Sequence, residues 1–142
     1  MNLDKLGKRL NVKFEILNEE QLNYLRDYGC RILEICSSIH SNDGRLCIEG
    51  KNGELIRLDS DQLYDKLVSR DGQPLNIDVV FVNVLNGQQI ANVFIKLGVP
   101  QVFTFNSTEP MTTGIQSSFE YHSMKQTLFM KDFTNGIILR LG

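Results

Sequence analysis

The sequence predicts an α/β fold: a mainly parallel sheet flanked by helices in three layers, with a β-hairpin inserted on one side. Three observations carry that prediction. Residues 77–84 form a near-continuous apolar run, as expected of a central strand covered on both faces. Ile90, Val93, Phe94 and Leu97 then recur at helical spacing, and Gly98 and Pro100 close that helix before the apolar Val102-Phe103-Thr104-Phe105. Strand-like and helix-like segments alternate along most of the chain, a pattern that calls for parallel strands joined by crossovers.

Leu3, Leu6 and Leu10 suggest a short opening helix. Residues 12–17 alternate apolar and polar, as a strand with one wet face does. Asn18 is placed to cap the next helix, with Gln21 able to reach back and Glu19 and Glu20 at its positive end. Leu22 and Leu25 give that helix its apolar face, and Gly29 ends it. Residues 31–36 read as a strand, and residues 37–44 as the loop beyond it. Gly50-Lys51-Asn52-Gly53 separates two alternating segments, 45–49 and 54–58, which is a hairpin signal.

Asp59 or Ser60 caps a helix with Leu63, Tyr64, Leu67 and Val68 on one face, and residues 69–76 form a polar linker. The strand 77–84 and the helix 88–97 come next, then a strand over 102–105 with the loop 106–113 at its end. A last helix covers 114–133, with Phe119, Met124, Leu128, Phe129, Met130 and Phe133 forming a broad apolar stripe. Asn135-Gly136 ends that helix, and residues 137–141 make a final short strand.

At 142 residues the chain has the length of one domain, spanning 1–142. Its net charge of −2 is spread among interspersed acids and bases, with no basic block to follow a phosphate backbone. Nucleic acid is therefore not the expected partner. The apolar runs are too short to span a bilayer, and the first residues lack the pattern of a secretory signal. Cys30, Cys36 and Cys47 form no CxxC pair, and their odd number argues against a disulfide framework. Three buried cysteines in a reducing, cytoplasmic compartment are the expectation.

The residues at the ends of the two main strands decide what chemistry is open. The loop Asn83-Val84-Leu85-Asn86-Gly87-Gln88 holds no nucleophile beyond amides, no phosphate-cradling glycine pattern and no metal-ligand cluster. Asn86-Gly87-Gln88 reads as helix capping. His40, in the loop after residues 31–36, is the fallback candidate for a base, with Ser37, Ser38 or Ser41 beside it. His122 falls in the last helix beside Tyr121 and reads as a packing or surface residue. Two histidines so far apart, without a carboxylate pattern, make no metal site. No cofactor is expected.

Residues 78–105, with the turn Gly98-Val99-Pro100, resemble the caspase-like fold in its CHAT and metacaspase-related branch. There a strand ends in the nucleophilic cysteine and is followed by a helix, a Gly-Val-Pro turn and another apolar strand. Residues 28–39 (YGCRILEICSSI) resemble the family's strand running into the loop of the catalytic histidine, and residues 44–67 its hairpin and capped helix. The resemblance covers roughly residues 12–133. It implies that the family's dyad falls on Ser38 for the histidine and Leu85 for the cysteine. A thiolate nucleophile and an adjacent base are both missing there.

The implied function is a catalytically inactive peptidase-fold domain, a structural or regulatory protein-interaction module in a larger assembly. Family members begin with a further strand and helix and continue beyond Leu141. The resemblance thus implies a shortened domain, a piece of a longer protein, or a sheet completed by another chain. Two alternatives come from the residues alone: a hydrolase with relocated chemistry on His40, and a flavodoxin-like module for a small molecule or nucleotide.

Overall fold

The computed structural model describes residues 11–37, 43–104 and 135–141. The expected opening helix, Ser38 and His40, the loop 106–113 and the helix 114–133 with His122 lie outside the described residues. Among the described residues five parallel strands make one sheet in the order β1-β7-β2-β5-β6. They are β1 (Asn11–Ile16), β2 (Ile32–Ser37), β5 (Val79–Val84), β6 (Gln101–Thr104) and β7 (Asn135–Leu141). The expected hairpin, β3 (Leu46–Glu49) and β4 (Leu55–Leu58), forms a separate antiparallel pair. It is joined to the end of β1 where Glu49 N–H donates to Leu17 O at 2.9 Å.

The helices start where the sequence offers caps. Gln21 N–H donates to Asn18 Oδ1 at 2.9 Å at the head of α1 (Glu19–Asp27). Asp59, rather than Ser60, caps α2 (Ser60–Leu67): Gln62 N–H donates to Asp59 Oδ1 at 2.8 Å, and Gln62 Oε1 accepts from Asp59 N–H at 2.9 Å. That reciprocal box satisfies two N–H groups that the helix itself leaves unpaired. The third helix, α3 (Gln88–Lys96), begins at Gly87 with no side-chain cap, so the expected capping by the Asn86 segment is by backbone alone.

All three helices lie on one face. Leu22, Leu25, Leu63, Leu67, Ile90, Val93 and Phe94 share one buried cluster with Leu33, Ile35, Val80, Val82, Ile137 and Leu139. Because side chains alternate along a strand, the intervening residues point to the second face. There Ile32, Val79 and Phe81 form a smaller cluster, with Phe103 stacked on Phe81 at 5.2 Å between ring centroids. Phe81 is fully buried, although none of the three described helices covers that face.

Four expectations need correction. The final strand is not a short appendage: β7 runs between β1 and β2, pairing with both. Asn135 and Gly136, expected as a helix stop, already belong to β7, pairing with Asn11 and Val12 as its first residues. The ladder overrides the low strand preference of an Asn-Gly pair, because the neighbouring strand supplies its hydrogen bonds. The central strand begins at Val79 and not at Ile77, since Ile77 N–H is used in a tight turn to Leu75 O at 2.8 Å. At the other edge β6 begins at Gln101, one position before the expected Val102.

Gly29 shows why the chain can turn between α1 and β2. Its φ of +72° suits glycine, and a Cβ there would sit 2.1 Å from Asn76 O. That same carbonyl accepts from Cys30 N–H at 3.1 Å, so the turn is held against the linker before β5.

Candidate functional site

In parallel α/β sheets, ligands and chemistry gather beyond the carboxyl ends of the strands. Here β2 and β5 are direct neighbours whose ladder ends on the pair Ser37 and Val84. Each of these residues immediately precedes one of the two positions singled out above, Ser38 and Leu85. Ser37 also pairs with Leu141, so β2 ends between two strands, and its side chain is buried. A buried Ser37 on the helix-covered face is poorly placed as the nucleophile of a relocated hydrolase.

Leu85 opens the turn after β5 and is half-buried. Asn86 follows at φ 57°, the one non-glycine residue with positive φ among the described residues. That conformation is uncommon for residues with a side chain and is best tolerated by asparagine. Gly87 then packs so tightly that a Cβ would lie 2.8 Å from both Thr104 Oγ1 and Val82 Cγ1. The turn is thus wedged between β5 and the end of β6, which directs the start of α3. The far side of the β2 loop returns to the same place. Gly44, at φ +76°, leaves room for Gln89, whose Oε1 would be 2.9 Å from an added Cβ. Gly44 and the turn after β5 therefore adjoin at the head of α3.

A second group of polar residues was not foreseen in the sequence. Glu34, Cys36, Asn83 and Arg140 project on the second face near the carboxyl ends of the three central strands. In register, Cys36 pairs with both Asn83 and Arg140. Glu34 is buried, and Cys36 Sγ donates to Glu34 Oε1 at 3.0 Å. Asn83 Oδ1 and Thr104 Oγ1 are buried without a hydrogen-bond partner among the described residues. The available signal was a charge or amide interrupting an apolar strand, as in Ile-Leu-Glu-Ile-Cys and Val-Phe-Val-Asn-Val. Only the register shows that Cys36, bonded to Glu34, stands beside Asn83.

The cysteines do not behave alike. Cys30 and Cys47 are buried as expected, whereas Cys36 is half-buried and bonded to Glu34. Burial pushes the Cys30 thiol up to about 12, with the nearby Ile137 backbone pulling the other way. Such a thiol is almost wholly protonated at neutral pH and is no nucleophile.

Among the described residues no group of three His, Cys, Asp or Glu is placed to hold a metal. No helix among them is long and apolar enough to cross a membrane. A shallow hollow of about 350 Å³ between α2 and α3 is lined by Ser60, Asp61, Tyr64, Val93 and Lys96. It draws on the helices and on none of the strand-end residues described above. Comparison with protein-family models, with curated proteins and with solved structures finds no match.

Proposed function

We propose that this chain is a caspase-like domain without a working dyad, used as a structural or regulatory protein-interaction module. One observation carries the reading: the last rung of the β2–β5 ladder joins Ser37 and Val84, each the residue just before one of the two family positions. That is the arrangement a histidine and a cysteine on two strand ends need in order to exchange a proton. Leu85 supplies no sulfur or oxygen, and serine at position 38 is no base near neutral pH. The wedge around Gly87 supports the reading too, because it preserves a sharp strand-to-helix turn at a position with no chemistry of its own.

The proposal extends to a three-layer architecture. The crossovers from β1 to β2, β2 to β5 and β5 to β6 all move in one direction across the sheet over the same face. The connection from β6 to β7 moves in the opposite direction. A right-handed crossover in that sense passes over the second face.

Incubation with cysteine-directed peptide probes tests the functional reading. The chain should stay unlabelled. Labelling that disappears when one cysteine is replaced by alanine would show a working thiol and overturn the proposal.

A further inference from the structure

We infer that β1 is a self-complementary edge through which two copies of this chain join their sheets, antiparallel, about a two-fold axis at Phe14. The inference does not depend on the reading of Ser38 and Leu85. β1 is the end strand of the sheet and pairs, among the described residues, with β7 alone. Leu17 N–H donates to Arg140 O at 3.1 Å, on the β7 side. The two-residue period of a strand then turns the N–H and C=O groups of Val12, Phe14 and Ile16 away from β7, toward the open edge.

Such an edge normally carries a device against pairing: a proline, a bulge or an inward charge. β1 reads Asn-Val-Lys-Phe-Glu-Ile and has no proline. Instead it exposes two large apolar side chains on the second face, Phe14 at 74% and Ile16 at 51%. On the other face Lys13 and Glu15 are exposed.

The order of these residues selects the occupant. In an antiparallel pairing of β1 with itself centred on Phe14, Phe14 meets Phe14, Val12 meets Ile16, and Lys13 meets Glu15. The outward-facing Val12, Phe14 and Ile16 become the hydrogen-bonded pairs. Lys13 and Glu15 become the closer, non-hydrogen-bonded pairs, about 4.5 Å apart at Cα. Symmetry repeats the Lys13–Glu15 contact, giving two opposite-charge pairs and no like-charge pair. Any other register of this strand on itself loses that match. A second copy therefore satisfies the edge hydrogen bonds, the apolar face and the charges together.

The test is the mass in solution by sedimentation, using the full chain and two charge reversals. Wild type should have the mass of two chains. Lys13→Glu and Glu15→Lys should each have the mass of one, since each places two like-charge pairs across the axis. An equimolar mixture of the two variants should regain the mass of two, because each then opposes its complement. The double variant K13E/E15K keeps every opposition with signs reversed and should associate as wild type does. A wild-type mass of one chain at the highest soluble concentration overturns the inference and leaves the edge to a different chain. So does a dimer that either single reversal leaves intact, or a mixture that stays dissociated while the double variant is folded by circular dichroism.

Discussion

Ser37 pairs with Val84 on the last rung of the ladder between β2 and β5. This rung is the last on which the two strands pair before the loops that follow them. The burial of Ser37 between Val84 and Leu141 gives those loops a fixed base. A site can be held by such a base whether or not its chemistry survives.

If the scaffold is that of a thiol peptidase, supplying the missing groups should restore part of the chemistry. The double substitution Ser38→His with Leu85→Cys is expected to react with a cysteine-directed peptide probe faster than Leu85→Cys alone. A neighbouring imidazole raises the thiolate fraction at neutral pH. The ratio of labelling rates across pH, read by intact mass, checks this.

The turn at Gly29 should be intolerant of any side chain. Gly29→Ala combines positive φ with a Cβ 2.1 Å from Asn76 O, so the carbonyl that accepts from Cys30 must move. A cost of about 2–4 kcal/mol is expected, the sum of backbone strain and a damaged buried hydrogen bond. Gly53→Ala, at similar φ but with nothing within 4 Å of the added Cβ, should cost only about 1 kcal/mol. Urea unfolding of the two variants separates clash from conformation.

The Cys30 thiol makes stability depend on alkaline pH. Its folded value is about 12 against an ordinary 9.0. Below the lower value both states hold the proton and there is no effect. Between the two values the unfolded chain releases the proton and the folded chain does not, so stability falls as pH rises. Urea unfolding across that window should show the decline, and Cys30→Ala should flatten it. At neutral pH a thiol reagent should modify Cys36 before Cys30.

Burial on the second face should be matched by stability. Phe81 is fully buried and stacked on Phe103, so Phe81→Ala should cost about 3–5 kcal/mol. Ile95 lies on α3 with 57% of its surface exposed, and Ile95→Ala should stay within about 0.5 kcal/mol. Unfolding midpoints compare the two directly.

Much of the architecture was legible because its signals are local. The caps at Asn18 and Asp59, the turn between β3 and β4, and the apolar run ending at Val84 each announce themselves within a few residues. The place of β7 was not legible. Its pairing with β1 and β2 is long-range, and its opening Asn-Gly has the local look of a helix stop. The candidate site divides the same way. The position of Leu85 follows from strand–helix–strand logic, whereas the placing of Cys36 beside Asn83 and Arg140 depends on a register that no single strand encodes. Cys36 was expected to be one more buried cysteine; the donor–acceptor contact with Glu34 sets it apart.

The central proposal is that positions 38 and 85 correspond to the two members of a dyad on adjoining strand ends. Disulfide trapping measures this most directly, in the variant Ser38→Cys with Leu85→Cys on a Cys36→Ala background. If positions 38 and 85 leave the β2–β5 ladder together, as proposed, their Cα atoms fall within the roughly 4.4–6.8 Å that a disulfide spans. Mild oxidation should produce the intramolecular bridge in nearly all molecules, seen as a two-proton loss by intact mass and as the cross-linked peptide after digestion. Free thiols persisting at both 38 and 85 in the folded chain under the same oxidation would contradict the account.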